Sequence, residues 1–169
     1  MKIDNDIKPD DLNGAIRDVF ALAAKKTVAL DKAWDPTKGT PVFTVEGRYT
    51  TRGWTEWTQG FQYGCMILAG DALDDAKLIE RGRSLTIRHM LPHVTHIGVH
   101  DHGFNNLSTY GNLLRLLDEG RLADGDDWQR TTYCNAIAAS GAVQAARWSG
   151  VPASKPNAPS AEPPALGDI

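Results

Sequence analysis

The spacing of hydrophobic and polar positions predicts a mainly helical chain. Apolar residues recur at steps of three and four, which places them on one face of an α-helix. The first predicted helix starts near Asp10 or Asp11, and the others cover about 57–70, 73–90, 104–118 and 127–148. Between residues 34 and 56, prolines and glycines interrupt β-branched residues, which indicates a long loop with a short hairpin. The pattern therefore predicts an all-α fold with five main helices.

The predicted helices differ in how much of their surface is apolar. The second carries a stripe of Trp57, Phe61, Cys65 and Leu68 and further apolar residues on its other faces, which is typical of an inner helix. The third surrounds a narrow apolar stripe with charges, which predicts an outer, half-exposed helix. We therefore expect helical hairpins in which inner and outer helices alternate.

Two details of these helices are predicted from spacing. Gly60 and Gly64, four residues apart, would let another helix approach closely. The predicted buried face of the first helix consists of the following apolar residues: Leu12, Ile16, Val19, Ala23 and Leu30.

Length and charge limit the class of protein. The 169 residues favour one domain, and 18 Lys and Arg against 21 Asp and Glu give a net charge of -3. No basic excess supports binding to nucleic acid or to a membrane surface. The apolar stretch 61–69 is too short to span a membrane, and the acidic N-terminus lacks the core of a signal peptide. We therefore expect a cytoplasmic protein.

The chain is expected to consist of one folded unit and a tail. Residues 1–150 form the predicted domain, and 151–169, which hold five of the nine prolines, form a predicted disordered tail. Cys65 and Cys134 lack metal or redox spacing, which favours a role as small buried hydrophobic residues.

The first region that could carry chemistry is 52–61, which is dense in aromatic and hydroxyl side chains. The rings of Trp54 and Trp57 could stack on a sugar, while Gln59 and the neighbouring Thr and Glu side chains could bind its hydroxyls. The alternative is that the tryptophans close the core at the start of a helix.

The second region is 91–104. Asp101 comes just before a predicted helix, so it is either a helix cap or an acid–base residue. All five histidines lie between His89 and His102, but their spacing matches no strong zinc pattern. We expect hydrogen-bonding or polar site histidines here and no bound metal.

Three motifs in order resemble a known family. They are Trp57-Thr58-Gln59-Gly60-Phe61, then His100-Asp101-His102-Gly103-Phe104, then Tyr110-Gly111. Together they resemble the N-terminal half of the unsaturated glucuronyl hydrolases, glycoside hydrolase family 88 and its rhamnogalacturonyl hydrolase relatives. The resemblance implies an (α/α)6 toroid, of which about half the helices are present, with an active site at the end of the inner helices.

The resemblance also implies a reaction and a set of site residues. In that family a carboxylic acid protonates C4 of an unsaturated uronic acid, and water activated by the same residue adds at C5, with no metal or organic cofactor. Asp101 matches one of two essential aspartates, His100 precedes it in the same motif, and Trp57 matches a site-lining aromatic. The second aspartate has no match, because Asp168 is the only aspartate in the corresponding Pro-rich stretch.

Two classes of function follow from this resemblance. The first is a hydrolase-like fragment that acts on unsaturated uronyl oligosaccharides. The second is a catalytically silent helical remnant that binds carbohydrate or self-associates through exposed inner-helix faces. A second carboxylate close to Asp101 would distinguish them, and the candidates are Asp35, Glu46 and Glu56. The sugar epimerases, another (α/α)6 family, would need site histidines on several inner helices.

Overall fold

The structure, a computed structural model, describes residues 6–53, 57–122 and 125–147. Its helices are α1 (Asn13–Ala33), α2 (Thr58–Ala72), α3 (Ala76–His89), α4 (Leu91–Val94), α5 (Asn112–Asp118) and α6 (Asp127–Ala146). A π-helical segment, Gly103–Gly111, leads directly into α5, and two short 3-10 turns cover Pro9–Leu12 and Pro36–Lys38. The strands β1 (Pro41–Val45) and β2 (Arg48–Thr51) pair as an antiparallel hairpin. The predicted all-α class and the hairpin in the long loop are confirmed.

Two helices that run parallel form the centre of the molecule. Gly60 of α2 lies against the backbone of Phe104 and Asn105, and Gly64 lies against that of Ser108. A Cβ atom at Gly64 would be 2.5 Å from the Ser108 carbonyl oxygen, and one at Gly60 would overlap the π-helical backbone. The close approach predicted from the two glycines is confirmed, and the N-terminal ends of both helices lie at the same end of the molecule.

The outer helices run antiparallel to this central pair. On α3, Ile79 packs at Gly70 of α2, and Gly82 packs at Ile67, so the two helices run in opposite directions. On α6, Ser140 contacts Asn106 and the Tyr133 ring lies 6.1 Å from that of Tyr110, measured between ring centroids. Eight residues are buried in α2 and five in α3, so α2 is the more buried helix and α3 the half-exposed one, as predicted. The stripe from which the inner helix was predicted is nevertheless on the exposed side of α2: Trp57, Phe61, Cys65 and Leu68.

The core lies where α2, α3, α5, α6 and the π-helical segment meet. Its largest fully buried apolar side chains are Met66, Ile67, Met90, Leu113, Leu116 and Tyr133. The chain leaves α5 at Gly120, whose φ of 68° suits a glycine. The amides of Gly120 and Arg121 donate to the carbonyls of Leu117 and Leu116, respectively, which is the Schellman pattern. The helix therefore ends at Asp118, as predicted for the helix over 104–118.

The predicted buried face of α1 is wrong over its first half. Ile16 and Val19 are 48% and 64% exposed, whereas Phe20, Ala24 and Val28 pack against the core. The helix is rich in alanine, so its apolar residues do not define a single face. Its orientation follows instead from tertiary contacts, including the ion pair between Asp31 and Arg81, whose closest atoms are 2.8 Å apart.

Four further points concern the stretch after α3, the two cysteines, the C-terminal tail and membrane spans. The stretch between the predicted helices 73–90 and 104–118 contains the short helix α4. Both cysteines are exposed, contrary to expectation, because Cys65 lies on the uncovered side of α2 and Cys134 on that of α6. The tail 151–169 lies outside the described residues. Within the described ranges, no helix has the length and apolar character that a membrane span requires.

Candidate functional site

Three aromatic rings meet where α2 and the π-helical segment begin. Trp57 lies edge-on to Phe61 with 5.6 Å between ring centroids, and Phe104 lies 5.8 Å from Trp57 and 5.5 Å from Phe61. We call these three residues the aromatic cluster. Their exposed fractions are 43%, 37% and 51%, respectively. Each ring therefore packs on one side and remains accessible to a ligand on the other.

Asp101 lies one turn before Phe104, at the start of the π-helical segment. Its carbonyl accepts a hydrogen bond from the Asn105 amide at 3.1 Å. Its carboxylate is 18% exposed and lies 3.5 Å from Nε2 of His100, whose side chain is 85% exposed. The helix-cap alternative for Asp101 is wrong. Over the described residues its carboxylate accepts no backbone hydrogen bond, and the segment, which begins at Gly103, has no side-chain cap at His102 either. The carboxylate is therefore partly accessible and is not required to close the helix end.

Over the described residues, few side-chain hydrogen bonds reach the two helix ends beside the aromatic cluster. Neither α2 nor the π-helical segment has a side-chain cap at its first position. One amide of the first turn of α2, that of Gly60, donates to Oδ1 of Asn105 at 3.0 Å. Helix N-termini carry partial positive charge. The parallel arrangement therefore directs two positive ends toward the same surface, which favours an anionic ligand.

Gln59 lies beneath this surface rather than on it. Its side-chain oxygen is 2.5 Å from Nε2 of His93, and its side-chain nitrogen is 3.5 Å from the Tyr63 hydroxyl. Burial lowers the pKa of His93 to about 4, with smaller effects from His96 and His102. His93 is therefore neutral near pH 7, and its Nε2–H donates to Gln59. Gln59 was predicted to bind the hydroxyls of a sugar, but its side chain is buried beneath the surface that a sugar could reach.

A second buried polar group lies between the π-helical segment and α6. His102 Nε2 is 2.7 Å from the His96 carbonyl oxygen, so this nitrogen carries the proton. Nδ1 then accepts from the Ser140 hydroxyl at 2.8 Å, and Asn106 donates to the same hydroxyl at 2.9 Å. Sequence reasoning missed Asn106 and Ser140. The sequence gives only a weak indication of this group. Ser140 lies on the same face of α6 as Tyr133 and Ala136, and an apolar residue is expected there.

Of the remaining predicted site residues, none that the structure describes contacts the Asp101 carboxylate. Trp54 and Glu56 lie outside the described residues. Asp35 binds Thr37, whose side-chain hydrogen bond lowers the pKa of that carboxyl, and Glu46 lies in the hairpin turn. Over the described residues, the Asp101 carboxylate contacts His100 and no second carboxylate. The same residues contain no group of three or more His, Cys, Asp or Glu that could hold a metal.

A groove extends from the aromatic cluster between α1, the hairpin and α2. Its volume is about 550 Å³, within the range of ligand pockets. Phe61 belongs to both the cluster and the groove, and Lys26, Tyr49, Thr58 and Gln62 supply polar atoms along its walls. The aromatic cluster and the groove therefore form one continuous surface with space for a small oligosaccharide.

Comparison of the chain with known protein families, with curated proteins and with solved structures finds no match. The assignment of function therefore depends on the geometry of the site and on the motifs in the sequence.

Proposed function

We propose that the chain is a glycoside hydrolase-like protein that acts on unsaturated uronyl oligosaccharides, and that its helices form about half of an (α/α)6 toroid. One observation carries the proposal. Asp101 and the aromatic cluster lie together at the shared N-terminal end of two parallel inner helices. This end corresponds to the active-site end that the family resemblance implies.

The same surface offers partners for each part of such a substrate. A sugar ring can stack on the accessible face of Trp57, which is 43% exposed. The uronate carboxylate is suited to the two uncapped helix N-termini. The remaining sugars can lie along the groove between α1 and α2.

The chemistry requires one residue that gives and takes a proton. Protonated Asp101 donates its proton to C4 of the substrate, which leaves positive charge at C5 and at the ring oxygen. The resulting carboxylate accepts a proton from water as the water oxygen bonds to C5. The hemiketal then opens and releases the attached sugar, and Asp101 returns to its protonated form.

A second candidate function has its own support. The Asp101 carboxylate contacts no other carboxylate within the described residues, although the family is expected to use two aspartates. A chain with the aromatic cluster but without the second aspartate would bind the sugar without converting it. This is the catalytically silent remnant.

Incubation with an unsaturated uronyl disaccharide separates the two candidates. The conjugated double bond absorbs near-ultraviolet light, so hydration appears as a loss of absorbance. We expect turnover by the wild-type chain and by Asp18→Asn, an exposed aspartate on α1, and none by Asp101→Asn. Because the Asp101 side chain caps no helix, the melting temperature of Asp101→Asn should stay within a few degrees of that of the wild type.

Titration calorimetry with the same disaccharide completes the experiment. Binding without turnover, weakened by Trp57→Ala, would support the silent remnant. If the wild-type chain neither converts nor binds the disaccharide, both candidates are wrong.

A further inference from the structure

The N-terminal half of α1 stands clear of the core. Every residue from 11 to 19 is exposed, whereas Phe20, Ala24 and Val28, on the second half of the helix, pack against the core. A short stretch of helix is marginal in water when its own hydrogen bonds alone hold it, and most helical stability comes from packing of an apolar face. This half of α1 is therefore a segment that a packing partner would stabilise.

The same half of α1 carries an apolar stripe of its own. Leu12, Ile16 and Val19 recur at steps of four and three, and Ala23 continues the spacing. The first three are 46%, 48% and 64% exposed, and Leu22, next to the stripe, is 56% exposed. Steps of three and four place side chains along one face, as in helices that pack along a shared seam. The stripe that the sequence predicted as the buried face of α1 therefore exists but faces outward over this half.

The charges of α1 favour a second copy of the chain as the partner. Over residues 6–18, four Asp against one Lys and one Arg give a net charge of -2, and over 19–33, three Lys against one Asp give +2. If two copies of α1 pack antiparallel, each acidic half lies along the basic half of the other copy, whereas parallel packing brings like charges together. The surface is therefore complementary to itself, as an interface with two-fold symmetry requires.

The charged side chains needed for this pairing are accessible. Asp10 and Asp18 in the acidic half and Lys25 and Lys26 in the basic half are all exposed. The one acidic residue of the basic half, Asp31, already forms an ion pair within its own chain. Each end of an antiparallel pair therefore presents opposite charges to the other copy.

We propose that the N-terminal half of α1 is a dimerisation surface on which α1 of a second copy packs antiparallel. Leu12, Ile16 and Val19 of each copy form the apolar seam, and the acidic and basic halves pair at its two ends. The proposal is independent of the action on uronyl sugars, because these three residues belong neither to the aromatic cluster nor to the groove beside it.

Two isoleucines of similar exposure test the seam in the full chain. Ile16 on α1 and Ile87 on α3 are 48% and 51% exposed. In sedimentation equilibrium, we expect Ile16→Ser to raise the dissociation constant of the dimer at least about tenfold, because the substitution removes an apolar side chain from both copies. Ile87→Ser should leave the constant close to that of the wild type. A monomeric wild-type chain, or an equal effect of the two variants, would overturn the proposal.

Reversal of charge tests the antiparallel arrangement. Lys25→Glu with Lys26→Glu makes both halves of α1 acidic, so an antiparallel dimer meets repulsion at both ends and should weaken at low salt. Asp10→Lys with Asp18→Lys makes both halves basic and should weaken it in the same way. A mixture of the two variants has opposite charges at both ends and should recover the dimer. In a parallel dimer, the lysine variant would exchange one like-charge contact for another, so unchanged self-association of that variant would contradict the arrangement, as would a mixture that fails to recover.

Discussion

The histidines between residues 89 and 102 differ in burial: some are buried in the fold, and His100 is exposed. His93 and His102 are 2% and 3% exposed and hold fixed hydrogen bonds to Gln59, Ser140 and a backbone carbonyl. His100 lies in solvent beside Asp101. Their clustering in the sequence therefore does not mark a single site, and His100 is the histidine placed to meet a ligand at Asp101.

Stability is expected to depend on pH through His93. The unfolded chain takes up a proton near the ordinary pKa of 6.5, whereas the folded chain resists protonation until about pH 4. The free energy of unfolding should therefore fall by about 3 kcal/mol as the pH drops from 6.5 to 4. Urea unfolding curves at several pH values measure this change.

The variant His93→Gln identifies the group responsible. It cannot titrate in this range, so it should be less stable at pH 7 but lose less stability on acidification than the wild type. An equal loss in both proteins would show that other groups control the acid response.

The elements were predictable to the extent that they depend on local pattern. The spacing of apolar residues predicted the helices, and the pair Gly60 and Gly64 predicted the close contact between two of them. The π-helical form was not predictable, because its wider turn accompanies tertiary contacts of Asn105 and Asn106 with α2 and α6. The buried face of α1 was missed for a similar reason, since alanines offer several equivalent faces.

The candidate site was predictable only in part. The sequence placed Trp57 at the start of one helix and Asp101 just before another, as the structure does. It could not show that Phe104 completes the aromatic cluster, because that contact depends on the register between α2 and the π-helical segment. It also could not show that Gln59 is buried, since its partner His93 is 34 residues away.

Substitution of Gly60 tests the contact between the two central helices. In Gly60→Ala, the added Cβ would overlap the backbone of Phe104 and Asn105, which cannot move without separating the helices. We expect a loss of about 3 kcal/mol in the free energy of unfolding. Chemical denaturation measures it, and Gly14→Ala on α1 should instead stabilise by up to about 1 kcal/mol. A stable Gly60→Ala protein would be incompatible with the described helix crossing.

On the scale of the whole molecule, large apolar side chains remain uncovered on the central helices. On α2 they are Trp57, Phe61 and Leu68, and on the π-helical segment Phe104 and Leu107, with exposed fractions from 37% to 55%. An apolar surface of this kind promotes association.

The purified chain is therefore expected to self-associate. Analytical ultracentrifugation should show oligomers whose population rises with concentration, and Phe61→Ser combined with Phe104→Ser should reduce them. Ile87→Ser serves as the control, because Ile87 is 51% exposed but lies on the charged outer helix α3. A monomer at all concentrations, or an equal effect of the control, would contradict association through the central helices.

The hydrogen bond from the Gly60 amide to Asn105 ties the first turn of α2 to a residue 45 positions later. No atom within α2 replaces that acceptor, so this proton is shielded from solvent only while the two helices stay docked. Its rate of exchange with deuterium therefore reports how often they separate. Amides in the middle of α2 have partners within their own helix and exchange only when that helix itself opens. The ratio of the two rates would show whether the ends of the central pair open separately from the core.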